Sequence, residues 1–333
     1  MSLPALRAVR ESCPSARITV LARPWVADLY ARERFADQVI PYPAARGLRE
    51  WGAKLRLAGE LGRHGYDCAI LFPNAFESAL FSFAARIPHR IGYRRDGRGL
   101  LLTHAIPCPR KGEIPPHESF YYLELLRRAG FIECLPKEVT IRLDGLDQAR
   151  QSGLAQMRDH SLGHTVIGVS PGAAFGGAKR WFPERFAEAA ATVAKQRKAT
   201  VALFGSTQER ELCGQVAAQV ESLGVPSRNL AGQTTLSQFI ELVSACLLFL
   251  TNDSGSMHIA AAAGVPTVAV FGATNHITTG PTGPLARVIR EPVECSPCLM
   301  RECPIDHRCM DRVPAGRVSS EALLLIDQLR SNG

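Results

Sequence analysis

Two stretches of this chain combine residue types suited to holding an anion. The first is Ser170-Pro171-Gly172-Ala173-Ala174-Phe175-Gly176-Gly177-Ala178-Lys179-Arg180-Trp181, which follows the apolar run Thr165–Val169 and leads into a helical pattern. A glycine-rich turn lets backbone N–H groups converge, a lysine adds a full charge, and a helix start adds its dipole, a set that suits a phosphate. Gly172 and Gly177 have the separation of a nucleoside-triphosphate loop, but Ala178 moves Lys179 one place on. Arg180 also stands where a hydroxyl would meet Mg²⁺, so that motif is rejected. The second stretch is Asn252-Asp253-Ser254-Gly255, with Met257 and His258 just beyond it. N–H groups at a helix start there would point at a ligand with roughly half a positive charge behind them. Each stretch has a blander reading: a surface loop with an incidental lysine, and a crossover turn in which Asp253 and Ser254 cap a helix beside a packed histidine.

The elements that must position these loops follow from periodicity. Leu247–Thr251 reads as a buried strand, Met257–Ala263 as a short helix closed by Gly264, and Thr267–Phe271 as the next strand. Thr165–Val169 and Ala199–Gly205 are further strands, and Pro183 opens a helix whose buried side holds Phe186, Ala190 and Val193. This alternation predicts an α/β domain on a parallel sheet, where ligands bind outside the carboxyl ends of the strands. Ser206-Thr207-Gln208-Glu209 ends such a strand, a position that suits a nucleoside, and Glu209 there reads as a carboxylate stabilised by a helix start.

The first half reads as helix 2–11, strand 17–22, helix 27–34, strand 38–40, helix Gly47–His64, strand 66–72 and helix 76–85. Val139–Leu143 ends the first domain and Asp147–Arg158 reads as a bridging helix. The expected organisation is a first domain over 1–158, a second over 164–317, and a helix over 318–333 packing back toward the first.

Composition narrows the function classes. The formal net charge is +8, and residues 1–150 hold 23 Lys+Arg against 16 Asp+Glu, whereas the remainder holds 16 against 15. An anionic partner or membrane surface is expected to meet the first half. No nucleic-acid module accompanies that charge, and no apolar run approaches the ~20 residues of a membrane helix. MSLPALRAVRE lacks a secretory core, which predicts a cytoplasmic protein. An NAD-dependent oxidoreductase is disfavoured because no strand leads into Gly-x-Gly-x-x-Gly.

Asp253-Ser254-Gly255-Ser256-Met257-His258 and Pro171-Gly172-Ala173-Ala174-Phe175-Gly176-Gly177-Ala178-Lys179-Arg180-Trp181 together resemble the donor-binding motifs of glycosyltransferase family 9, the heptosyltransferases. The resemblance runs from Ser2 to about Val318. It implies a GT-B fold, two Rossmann-like domains with parallel sheets facing across a cleft. It further implies inverting, metal-independent transfer of heptose from ADP-heptose to the anionic inner core of lipopolysaccharide at the inner face of the cytoplasmic membrane, with no cofactor required. By resemblance the donor contacts are Ser170, Gly172, Lys179, Thr207, Glu209, Asp253, Ser254, Gly255, Met257 and His258. Arg90, Arg94 and Arg95 are the acceptor candidates, as guanidinium forks suit phosphate and carboxylate, against the alternative of an exposed Gly/Arg loop. The family's general base, an Asp in a loop after a first strand, is expected upstream of Met1, so the catalytic residue is unknown in this sequence and poor transfer is expected of it. A transferase for another sugar nucleotide, or a binding protein without turnover, are the competing readings.

Ten cysteines are present, and Cys295, Cys298, Cys303 and Cys309 are clustered around His307. Their types suit a structural zinc ion, although four ligands within so short a span would make an unusually tight knuckle. Free thiols and oxidised pairs remain open.

Overall fold

The computed structural model describes residues 1–43 and 48–331, with the side chains of 48–51 and 330–331 left outside the description. The chain divides into two compact units, Met1–Val139 and Thr140–Gly333.

In the first unit, α1 (Leu3–Ser12) precedes β1 (Thr19–Ala22), α2 (Pro24–Ala31) and β2 (Gln38–Pro41). Then come α3 (Leu48–Arg63), β3 (Cys68–Leu71), α4 (Phe76–Ala84), β4 (His89–Tyr93), β5 (His104–Ile106) and α5 (Glu118–Arg128). Gly47, the expected start of α3, lies outside the described residues, as does the Trp51 side chain. All pairings are parallel, in a two-stranded sheet β1-β2 and a three-stranded sheet β3-β4-β5. Tyr66 ahead of β3 donates its hydroxyl to Thr19 Oγ1 on β1 at 2.9 Å. Ala5 and Val9 of α1 pack on Phe120, Leu123 and Leu126 of α5, while Ala58 and Leu61 of α3 pack on Phe81, Ala85 and Ile87. Buried carboxylates are paired: Glu33 with Arg7 at 2.6 Å, and Glu124 with both Arg127 and Arg128.

The second unit opens earlier than the sequence suggests. Within Val139–Leu143, read as the end of the first domain, the Ile141 and Leu143 N–H groups donate to Thr282 Oγ1 and the Ala262 carbonyl, both of this second unit. Helix α6 (Leu146–Asp159), placed by its sequence at the end of the first domain, belongs to this unit. Its Met157 joins the core and Gln156 donates to Glu241 at 2.6 Å. There follow β6 (Val166–Ser170), α7 (Pro183–Arg197), β7 (Thr200–Leu203), α8 (Arg210–Ser222), β8 (Ser227–Asn229), α9 (Leu236–Ser244) and β9 (Leu248–Asn252). Next are α10 (Gly255–Ala262), β10 (Thr267–Val270), α11 (His276–Thr279), β11 (Ala286–Ile289), α12 (Arg308–Asp311) and α13 (Ala315–Ser331).

The strands form one six-stranded parallel sheet ordered β11-β10-β9-β6-β7-β8. Residues of β6, β9 and β10 are buried throughout, as expected of strands covered on both faces. Ile167, Val169, Leu248 and Leu250 face α7, α8 and α13, while Val166, Ala202 and Phe249 face α6, α9 and Ala260 of α10. Val318, Ala322, Leu325 and Ile326 of α13 lie in that first cluster, so the buried face of the last helix belongs to the core of the second unit. Cys213 and Cys246 are core thiols, and burial pushes both up to about 12. Among the described residues no helix is long and apolar enough to cross a membrane.

Candidate functional site

The chain leaves β6 toward β7 and β8 on one side of the sheet, then returns to place β9 and β10 on the other. Between β6 and β9 the strand order therefore reverses, and their parallel register sets Ser170 opposite Thr251. A crevice opens at such a switch point, beyond the carboxyl ends of the strands. Both anion loops leave the sheet here, although about eighty positions separate them in sequence.

Three ties bind the loops together. Asn252, fully buried at the end of β9, donates from Nδ2 to the Pro171 carbonyl at 2.7 Å and accepts the Trp181 N–H at 2.9 Å. One side chain thus holds both ends of the glycine loop. Ser256 donates to Ser170 Oγ at 2.9 Å and lies 2.7 Å from Ser254 Oγ, with Thr251 Oγ1 3.2 Å from Ser254, so four hydroxyls cluster at the strand ends. Lys179 Nζ pairs with Asp253 Oδ2 at 2.6 Å, their side chains 15% and 5% exposed, and Thr274 donates its hydroxyl to the same carboxylate. Lys179 also lies 4.8 Å from the centroid of the Phe175 ring.

This geometry speaks against the capping reading of the second loop. Neither Asp253 nor Ser254 caps α10; Asp253 faces Lys179 and Thr274, and Ser254 faces other hydroxyls. The N–H groups at the start of α10, where Gly255 is exposed, receive no bond from the N-cap side chain. His258 is half-buried on the first turn of that helix. The Met257 side chain takes no part in the site: it is fully buried against Ala269 and Phe271, because its place on α10 turns it into the core.

Glu209 shows its helix-start reading and also lines the glycine loop. Its Oε2 accepts the Ser206 N–H and hydroxyl at 2.8 and 2.9 Å in a capping box. Its Oε1 lies against Gly172, so near that a Cβ there would stand 1.9 Å from it, which is why glycine occupies the position. Thr207 is exposed and packs on Gly232.

In the first unit, Asn74, Arg94 and Arg95 follow the carboxyl ends of β3 and β4. Tyr121 Oη accepts from Asn74 Nδ2 at 2.9 Å, and this hydroxyl beside Arg95 raises the guanidinium pKa further. Arg94 and Arg95 are exposed. Arg90 is not an acceptor group: it sits near the opposite, amino end of β4, donates to the carbonyls of Leu101 (2.7 Å) and Ile87, and stacks over Phe83. Arg98 is likewise buried, with bonds to the Tyr93 and Pro73 carbonyls. His117 caps α5 by accepting the Ser119 N–H.

Among the described residues no group of three or more His, Cys, Asp or Glu side chains is disposed to hold a metal ion. Cys295 and Cys298 are exposed and Cys303 half-buried, while Cys309 is buried against Gly272.

Sequence reasoning missed Asn252, Ser256 and Thr274 as site residues. Asn252 alone left a signal, a polar residue closing an apolar strand.

Comparison with known proteins agrees with this architecture. Residues 54–308 match the model of Glycosyltransferase family 9 (heptosyltransferase). The chain is 35% identical over 294 residues to lipopolysaccharide heptosyltransferase 2 of Salmonella typhimurium, covering 87% of this chain and 84% of that protein. The Escherichia coli protein of the same name is 34% identical over the same shares. Among solved structures, E. coli ADP-heptose LPS heptosyltransferase II superposes with a TM-score of 0.82 at 31% identity, covering 99% of this chain and 95% of that one. The fold is therefore GT-B, with its two Rossmann-like units as described. With the loops joined at a switch point and relatives matched along nearly the whole chain, this protein belongs to glycosyltransferase family 9, the heptosyltransferases.

Proposed function

We propose that this enzyme transfers heptose from ADP-heptose to the heptosylated inner core of lipopolysaccharide, as a heptosyltransferase of the second type. The observation that carries this reading is the switch point between β6 and β9, where the Lys179–Asp253 pair and the serine hydroxyls gather beside the start of α10. These groups match a nucleoside diphosphate, and fixed positive groups of this kind stabilise a departing diphosphate without a metal ion. In an inverting displacement the acceptor oxygen bonds to the anomeric carbon as the bond from that carbon to the phosphate oxygen breaks. ADP leaves with the electron pair, and the hydroxyl proton passes to a base. Lys179 must turn from Asp253 to the diphosphate for this to occur.

The acceptor side rests on Arg94 and Arg95, beside Tyr121 and Asn74. The basic surplus of residues 1–150 favours an anionic acceptor presented at a membrane surface. We place the enzyme as a peripheral protein at the inner face of the cytoplasmic membrane.

The test is transfer from ADP-heptose to lipopolysaccharide carrying a single heptose, followed by mass spectrometry, with ADP binding measured by calorimetry. One added heptose, formed equally well in EDTA, is the expected result. ADP binding without transfer would sink the enzymatic reading, and no ADP binding would sink the donor site itself.

A further inference from the structure

The cysteine-bearing segment has a place in the structure that its sequence did not suggest. It lies against the glycine loop and against the turn that follows β10. The Gly177 N–H donates to Glu302 Oε1 at 2.9 Å, and the Ala178 N–H donates to the Arg301 carbonyl at 2.9 Å. His307 Nε2 lies 3.1 Å from the Ala178 carbonyl and donates to it as the Nε2–H tautomer. Further along, Leu299 N–H donates to the Ala273 carbonyl at 2.8 Å and Ser296 Oγ to the Gly272 carbonyl at 2.6 Å. Phe175 is shared, with Lys179 Nζ 4.8 Å and the Arg301 guanidinium 5.6 Å from its ring centroid.

Backbone conformation makes the fit specific. Gly176 has φ near +151°, and a Cβ there would stand 2.3 Å from the Arg301 carbonyl oxygen. The two segments approach backbone to backbone only because the loop carries glycine at that position.

We infer that residues 296–307 form a clamp that sets the conformation of the glycine loop for donor phosphate binding, with Glu302 and His307 as positioning residues. The inference rests on the donor reading given above. Glu302 is exposed and bonded to the glycine loop two residues before Lys179, a place where a carboxylate opposes an anionic ligand through space. Its retention makes sense if the hydrogen bond to Gly177 outweighs that repulsion. Lys179 is two residues beyond Gly177, so a slack loop would leave the ammonium with no fixed place to deliver its charge.

The experiment compares the full chain with Glu302→Ala and Glu302→Gln. ADP affinity is read by calorimetry, and hydrogen exchange of the 176–179 amides is followed without ligand. Loss of the bond in Glu302→Ala should weaken ADP binding by about tenfold, the scale of one charge-assisted hydrogen bond, and speed exchange at Gly177 and Ala178. Glu302→Gln keeps an accepting oxygen and should stay within about twofold of the wild type on both readouts. Tighter ADP binding in both variants would show that the carboxylate acts only as a charge, and unchanged exchange in Glu302→Ala would show that nothing is clamped; either result overturns the inference. Should the unaltered chain fail to bind ADP, the donor reading falls, while the exchange data still decide whether the clamp exists.

Discussion

The ion pair between Lys179 and Asp253 sets up a competition that can be measured with Asp253→Asn. At 2.6 Å, and with side chains only 15% and 5% exposed, the pair is largely desolvated. At an effective dielectric of about 20 its Coulomb attraction is about 6 kcal/mol, before the cost of removing both ions from water. That cost offsets most of the attraction, leaving about 1–3 kcal/mol net. If Lys179 must leave Asp253 to reach the diphosphate, ADP binding is weaker by that amount. Asparagine is nearly isosteric and its oxygen still accepts the Thr274 hydroxyl, but it releases the ammonium. Apo stability in urea should therefore fall by about 1–3 kcal/mol, and the Kd for ADP should fall by about tenfold. In a Lys179→Met background the same substitution should leave ADP binding unaltered, since the coupling needs both partners. Weaker ADP binding in Asp253→Asn, with Lys179 intact, would refute the reasoning and make Asp253 a group that aims Lys179 rather than restrains it.

Three further outcomes are expected. Asn252→Ala removes both bonds that tie the glycine loop to β9 and strands the buried Trp181 N–H, which should cost about 2–4 kcal/mol in urea unfolding and raise the donor KM; an unchanged KM would detach Asn252 from the site. Arg95→Ala should raise the acceptor KM with little change for ADP, whereas Arg90→Ala, which breaks carbonyl contacts on the far end of β4, should lower Tm and leave both KM values alone; the reverse pattern would exchange their roles. Glu124 is held below its ordinary pKa of 4.5 by its hydrogen bond to Arg127 and then by Arg128. Its contribution is thus full above about pH 4.5 and lost as pH falls through the lower folded value. The stability gap to Glu124→Gln should be about 1–2 kcal/mol near pH 7, discounted because Arg127 is 39% exposed, and should close on acidification; a constant gap would assign the effect to packing.

Much of the second unit is legible in the sequence because its strands are buried on both faces and read as apolar runs. The run Leu247–Thr251 appears as β9 (Leu248–Asn252) and Thr267–Phe271 as β10 (Thr267–Val270). The edge strand β8 escapes such a reading, since Ser227-Arg228-Asn229 is short and polar, as an edge permits. The domain boundary escapes it too: Val139–Leu143 reads as the end of the first domain, yet Ile141 and Leu143 bond to Thr282 and Ala262 of the second unit. Spacing also says nothing of which way a side chain turns. Met257 sits inside a donor motif and points to the core, and Arg90 shares a short basic stretch with Arg94 and Arg95 but lies at the other end of its strand.

The site itself depends on a fact that no local pattern holds, the order of strands in the sheet. Alternation of strand and helix from 165 to 271 would be the same had β9 been added beyond β8. In that arrangement Ser170 and Thr251 would stand several strands apart, at about 4.8 Å per strand, and Ser256 could not reach Ser170. The return of the chain across β6 makes the two loops neighbours, and the bonds from Asn252 to Pro171 and Trp181 then fix them at hydrogen-bond range. Asn252 is therefore the residue through which the topology becomes chemistry. Its side chain can bridge 171 and 181 only if β9 lies beside β6, and it keeps Lys179, between those two anchors, near Asp253. The anion-binding character of each loop is written locally, in glycines, a lysine and helix starts; their assembly into one crevice is written in the crossover.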